Sequence, residues 1–192
     1  MKKINEIFYS VQGEGYWAGT PAVFVRFSGC NLRCPFCDTK HEGGRWMVEQ
    51  DIIAEVKKYP ASLVVLTGGE PTLFVTKELV DELHCIDKYV AIETNGTHLA
   101  PDNVDWVTVS PKDEFCKNAE LVPQKINELK VVYTGQDLFR YDGVKAEYYY
   151  LQPCDTGNAE KNKEYINKTV ARCLQDGKWR VSLQTQKILE VR

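Results

Sequence analysis

The stretch Leu63-Val64-Val65-Leu66-Thr67-Gly68-Gly69-Glu70-Pro71 sets an unbroken apolar run directly before a polar, glycine-paired tip. A short run of aliphatic, mostly branched side chains suits a strand buried on both faces, as in a parallel sheet. Paired glycines after such a strand let the backbone come within hydrogen-bonding distance of a ligand that a Cβ would hold off. A plain Gly-Gly turn has the same composition.

The same pattern recurs on either side. Residues 7–11 and 22–28 read as extended, the second rich in β-branched and aromatic residues, with a Gly-rich turn region at 12–21 between them. Residues 40–45 read as a loose linker, after which Val48, Ile52, Ile53 and Val56 recur at helical spacing. Leu79, Val80 and Leu83 mark a second helix. A strand at 89–92 ends in Glu93-Thr94-Asn95-Gly96, and another at 106–109 in Ser110-Pro111-Lys112. Strands at 129–133 and 148–151 follow, the latter ending in Gln152-Pro153-Cys154-Asp155. A helix at about 159–174 presents Ile166, Val170, Cys173 and Leu174 on one face. A last strand, 179–183, runs into Gln184-Thr185-Gln186-Lys187.

Apolar strands alternating with helices predict an α/β fold with a mostly parallel sheet. Too few strand–helix units are present for an eight-fold barrel, and 112–124 is too irregular for a helix, so an incomplete, open (β/α) barrel is expected, as a single domain over 1–192. In such folds ligands sit at the C-terminal ends of the strands, so the polar tips should face one cavity.

One loop at that end stands apart: Cys30-Asn31-Leu32-Arg33-Cys34-Pro35-Phe36-Cys37, three thiols within eight residues. A structural zinc site wants four tetrahedral ligands. Closely packed thiolates otherwise suit an iron–sulfur cluster, and three local ligands leave one iron open for a non-protein ligand. A zinc knuckle completed by His41 or a distant Cys is the alternative.

With 192 residues, 43% hydrophobic and 27% charged, the composition is that of an ordinary globular protein. The net charge of −3 argues against nucleic acid as the main partner. The first fifteen residues hold no apolar run of signal-peptide length and no stretch approaches a membrane span, so a cytoplasmic, non-membrane protein is expected. Seven Cys in such a protein do not read as a disulfide framework.

The spacing of Cys30, Cys34 and Cys37 resembles the signature of the radical S-adenosylmethionine (SAM) superfamily, and Thr67-Gly68-Gly69-Glu70-Pro71 resembles the segment that binds the SAM amino group there. A narrower resemblance runs through nearly the whole chain. Residues 6–15, Phe27-Ser28-Gly29-Cys30-Asn31-Leu32, Phe36-Cys37-Asp38-Thr39, Ile92-Glu93-Thr94-Asn95-Gly96, Val109-Ser110-Pro111-Lys112, 127–132 and Leu183-Gln184-Thr185 are similar to the 7-carboxy-7-deazaguanine synthase family.

That resemblance implies a radical SAM-type barrel and a magnesium-requiring conversion of 6-carboxy-5,6,7,8-tetrahydropterin to 7-carboxy-7-deazaguanine, with loss of ammonia, on the route to queuosine. It implies that Cys30, Cys34 and Cys37 hold a [4Fe–4S] cluster, and that SAM lies along Phe36, Asp38, Gly69, Glu93, Ser110, Pro111, Lys112, Gln152, Pro153, Cys154 and Asp155. The family often has Met where Cys154 stands, so a backbone role transfers better there. Thr39 would offer a hydroxyl to Mg²⁺, the alternative being a turn Thr after Asp38. Val11, Gln12, Gly13, Glu14, Arg26, Thr67, Gln184 and the carboxylate of Arg192 would contact the pterin, with Glu14 on its guanidine-like edge and Arg26 on its carboxylate. Strand alternation alone would equally allow Arg26 to face solvent. Gln186 departs from the His common in the family and cannot titrate near neutral pH. A homodimer and a flavodoxin-like electron donor are also implied. Two competing functions are another radical SAM enzyme, such as a glycyl-radical activase, and a non-catalytic iron–sulfur or zinc binding module.

Overall fold

The computed structural model describes residues 1–39 and 43–191. Nine strands form one sheet in the order β3-β1-β2-β4-β5-β6-β7-β8-β9. They are β1 (Lys2–Val11), β2 (Pro21–Phe27), β3 (Arg45–Met47), β4 (Leu63–Gly68), β5 (Tyr89–Thr94), β6 (Trp106–Val109), β7 (Glu128–Tyr133), β8 (Tyr148–Pro153) and β9 (Arg180–Val181). From β2 to β9 every pairing is parallel, while β1 runs antiparallel to β2 and β3. The strands end in two different edges, so the curved sheet stays open. That is the incomplete, mostly parallel barrel read from the sequence.

The helices are α1 (Glu49–Val56), α2 (Lys77–His84), α3 (Ala159–Gln175) and α4 (Thr185–Ile188). Thr76 caps α2 by accepting from the Leu79 N–H, and Asn158 caps α3 by accepting from the Lys161 N–H. Each satisfies an amide that has no partner inside its helix.

Strand alternation divides the core in two. Val23, Val25 and Phe27 of β2, Val64 and Leu66 of β4, and Val90 and Ile92 of β5 pack outward with Ile52, Val56, Leu79 and Leu83 of the helices. Ala22 and Phe24, Leu63 and Val65, Ala91 and Trp106 face inward with Phe8. Because side chains repeat every second residue, the next inward positions up the strands are Arg26, Thr67, Glu93, Thr108, Lys130 and Gln152. The barrel interior is therefore apolar and aromatic below and polar above.

A loop seals the interior across its open side. Tyr16 donates its N–H to Glu128 Oε2 at 2.9 Å, Gly15 donates to Ser182 Oγ at 3.0 Å, and Thr185 donates to Gly13 O at 3.0 Å. Gly15 sits at φ +63°, where a Cβ would lie 2.0 Å from Glu128 Oε1. Only glycine fits there.

Three local expectations change. Arg45 begins β3, paired to Ile4, rather than closing a linker. The face of α3 turned to the core carries Thr169, fully buried, and Cys173, while Ile166, Val170 and Leu174 are exposed. Thr169 can be buried because its hydroxyl donates to Tyr165 O one turn back. The last strand shortens to Arg180–Val181, and residues after it turn into α4. Thr185 anchors that single turn through both its N–H and its hydroxyl to Gly13 O, a tertiary contact rather than helix propensity. Among the described residues no helix is long and apolar enough to cross a membrane.

Candidate active site

One cavity of about 650 Å³ opens at the C-terminal ends of the strands. Twenty-one residues singled out from sequence line it. They are Val11, Gln12, Gly13, Glu14, Arg26, Cys30, Cys34, Phe36, Cys37, Asp38, Thr39, Thr67, Gly69, Glu93, Ser110, Lys112, Gln152, Pro153, Cys154, Asp155 and Gln184. Pro111 is buried behind the tip and does not reach the cavity, and Arg192 and His41 lie outside the described residues. Lys130, Asn95, Gln186 and Lys187 also line it, without having been assigned a role from sequence.

The cysteine loop is fastened from two sides. The N–H groups of Gly69 and Glu70 donate to Phe27 O and Gly29 O at 3.0 and 2.9 Å. A Cβ on Gly69 would stand 1.9 Å from Gly29 O, so the glycine pair is needed to bring the β4 tip onto the loop. On the other side the Asn31 side chain accepts from Asn95 Nδ2 at 3.0 Å and donates to Thr97 Oγ1 at 2.8 Å. Glu70, fully buried, joins the two tips: its Oε1 accepts from Thr94 Oγ1 at 2.6 Å and its Oε2 from the Asn95 N–H at 2.7 Å.

The three thiols are of the chemical type that holds an iron–sulfur cluster, although among the described residues their side chains are not gathered into a ready-made metal site. All are free and reach the same cavity. Cys30 Sγ accepts the Leu32 N–H at 3.4 Å, the backbone-to-sulfur contact that stabilises a ligating thiolate. Burial pushes the Cys34 thiol up to about 12, and Cys116, whose Sγ stands 3.5 Å away, adds to the shift. Ligation must therefore displace a proton. The half-buried Lys112 ammonium favours the charged thiolate, and it donates to Ser110 O and Oγ at 2.6 Å.

Deeper in the cavity lies a network of charges. Lys130 Nζ contacts Glu14 Oε2 at 2.5 Å and Glu93 Oε1 at 3.5 Å. Glu14 Oε1 accepts from Gln184 Nε2 at 3.0 Å and Gln186 Nε2 at 3.1 Å. Burial alone would raise the Glu14 carboxyl, but the Lys130 charge and these hydrogen bonds outweigh it and bring it to about 2. Glu93 accepts from Gln12 Nε2 at 3.0 Å and from Thr67 Oγ1 at 3.2 Å. Glu128, just below, is pushed up by burial to about 7.

Arg26 points inward. Its Nε donates to Glu6 at 2.9 Å, its Nη1 donates to Thr39 Oγ1 at 3.4 Å, and its guanidinium lies 5.5 Å from the Phe8 ring centroid. Lys187 of α4 bridges Asp155 at 2.6 Å and Asp38 at 3.3 Å, tying the C-terminal turn to the tip of β8 and to the end of the cysteine loop. Its hydrogen bond, with the Gly157 N–H and the Asn162 amide, holds the Asp155 carboxyl down at about 2.

A three-thiol loop between polar strand tips, above an interior that can enclose a small molecule, defines a radical SAM enzyme, and residues 24–112 match the radical SAM superfamily. Over 192 residues the chain is 53% identical to the 7-carboxy-7-deazaguanine synthase of Bacteroides thetaiotaomicron, covering 100% of both. It is 39% identical to that of Burkholderia multivorans, covering 98% of both. The crystal structure of QueE from Escherichia coli superposes with a TM-score of 0.76 at 28% identity, over 95% of this chain and 93% of that one. The chain belongs to the 7-carboxy-7-deazaguanine synthase family.

Proposed function

We propose that the chain converts 6-carboxy-5,6,7,8-tetrahydropterin to 7-carboxy-7-deazaguanine, with loss of ammonia, in queuosine biosynthesis. The observation that carries this reading is the pair of opposite recognition groups in one cavity: the Arg26 guanidinium near its rim and the Glu14 carboxylate deeper in. A substrate with a carboxylate at one end and an N–H-rich edge at the other complements both. A glycyl-radical activase acts on a protein segment, to which these enclosed groups are poorly suited.

Cys30, Cys34 and Cys37 would hold the [4Fe–4S] cluster, with SAM against Gly69, Glu93, Lys112 and the tip at residues 152–155. When bound, cluster and SAM supply a 5′-deoxyadenosyl radical that takes a hydrogen atom from the substrate. The chain's own residues bind, orient and exclude water. Arg26 would grip the substrate carboxylate through parallel N–H bonds. Gln12, Glu14 and Gln184 would hold the guanidine-like edge, while Thr67 would touch the substrate from the inner wall. Phe8, Phe24 and Val65 keep water from below. Thr39, beside Arg26 and Asp38, would offer a hydroxyl to Mg²⁺, a hard cation completed by substrate oxygens and water.

A homodimer fits the exposed apolar residues Ile166, Val170 and Leu174 along α3. A flavodoxin-like donor would reduce the cluster from the side of the exposed Cys37. Equilibrium binding of the carboxy-tetrahydropterin to the reconstituted, SAM-loaded protein tests the reading. Saturable binding that is lost in Glu14→Ala is expected, and no binding to protein with an intact cluster overturns it.

A further inference from the structure

We infer that Lys130 is a positioning residue for the substrate, aiming the Glu14 carboxylate at the N–H-bearing edge of the ligand and keeping Glu93 apart from it. The inference rests on the pterin reading above and adds a residue to it.

Lys130 stands in the middle of β7, buried, one position above Glu128 on the inward face. Its ammonium lies between the two carboxylates of the polar layer, 2.5 Å from Glu14 Oε2 and 3.5 Å from Glu93 Oε1. Each carboxylate serves a different partner set: Glu14 joins the tail glutamines, and Glu93 joins Gln12 and Thr67. Two carboxylates in one water-poor space repel, and the nearest cation that could relieve them is Lys130.

The hydrogen-bond count gives the direction of aim. An ionised carboxylate has about four acceptor sites. Gln184 and Gln186 occupy Oε1, and Lys130 occupies one side of Oε2. The remaining acceptor belongs to Oε2, the oxygen whose direction Lys130 sets. A ligand N–H meeting that oxygen finds a charged acceptor, whereas a ligand carbonyl at the same place finds repulsion. Without Lys130, Glu14 either turns away from Glu93 or takes up a proton, and a protonated carboxyl no longer distinguishes N–H from carbonyl.

The test measures dissociation constants, under anaerobic conditions, for two ligands on the cluster-reconstituted, SAM-loaded protein: 6-carboxy-5,6,7,8-tetrahydropterin and its 2-oxo counterpart, in which a carbonyl replaces the 2-amino group. The wild type is expected to prefer the amino ligand by about 30-fold or more, the worth of a buried hydrogen bond to a charged group. In Lys130→Met that preference should fall to about 3-fold or less through weaker binding of the amino ligand alone, and in Lys130→Arg, which keeps the charge, it should persist at about 10-fold or more. Equal weakening of both ligands in Lys130→Met, an unchanged preference there, or loss of preference in Lys130→Arg would overturn the inference while leaving the substrate reading intact. A wild type that binds neither ligand would overturn both. If Lys130→Met does not fold, the Lys130→Arg outcome decides alone.

Discussion

Cys116 places its Sγ 3.5 Å from the Sγ of Cys34, across 82 residues of chain. It is the distant thiol that could complete a four-cysteine site. The radical SAM reading requires that it does not, because a fourth thiolate would leave no iron for SAM. Cys116→Ser is therefore expected to keep its full complement of iron and sulfide and its affinity for SAM, while Cys34→Ala loses the cluster. Iron and sulfide analysis with the visible absorption spectrum checks this; loss of the cluster in Cys116→Ser would restore the closed-site alternative.

Arg26 faces the cavity beside Thr39, and the proposed function sets it against the substrate carboxylate, a role no apolar residue could take. Arg26→Ala should weaken binding of the carboxy-tetrahydropterin by about 2–3 kcal/mol while SAM affinity changes by less than about 3-fold. Arg26→Lys should fall between, because an ammonium cannot make the parallel pair of bonds. Calorimetry with each ligand separates the two affinities.

Thr39 carries the hydroxyl proposed for Mg²⁺. Thr39→Val keeps the shape and removes the oxygen. Turnover by this variant should respond little to added Mg²⁺ while SAM binding stays near wild type, as read from a magnesium titration of the initial rate.

Two carboxyls of the barrel interior, Glu14 and Glu128, pull stability in opposite directions with pH. Glu14 is depressed from 4.5 to about 2, so its contribution is present above pH 4.5 and is lost as pH falls toward 2. Glu128 is raised from 4.5 to about 7, so the folded state favours its protonated form, and that contribution is full below pH 4.5 and lost as pH rises through 7. Glu128→Gln keeps an acceptor for the Tyr16 N–H without the charge. Relative to wild type it should gain stability between pH 4.5 and pH 8, by up to about 3 kcal/mol for a carboxyl moved from 4.5 to about 7, as urea unfolding at the two pH values would show.

Much of this site could be read before the fold was known, for a physical reason. Apolar strands followed by polar tips declare a parallel sheet and its ligand-binding end together, and Gly69 and the three cysteines occupy those tips. What strand patterning hides is which face turns inward, because both faces of β2 and β4 carry apolar residues. Arg26 was ambiguous for that reason. Lys130 was overlooked although Glu128-Leu129-Lys130, two charges at spacing two inside a fully buried strand, carries the signal of a polar inner face. The tail was legible least. Gln184 and Gln186 meet Glu14 across 170 and 172 residues, and no local pattern reports a contact at that distance.

Turnover of the carboxy-tetrahydropterin decides whether the proposed reaction is the one this chain performs. The reconstituted protein, incubated anaerobically with SAM, Mg²⁺, a reductant and 6-carboxy-5,6,7,8-tetrahydropterin, is predicted to release 7-carboxy-7-deazaguanine and ammonia in equal amounts, with Cys34→Ala inactive. A protein with an intact cluster and bound SAM that forms no deazapurine would rule the proposed reaction out.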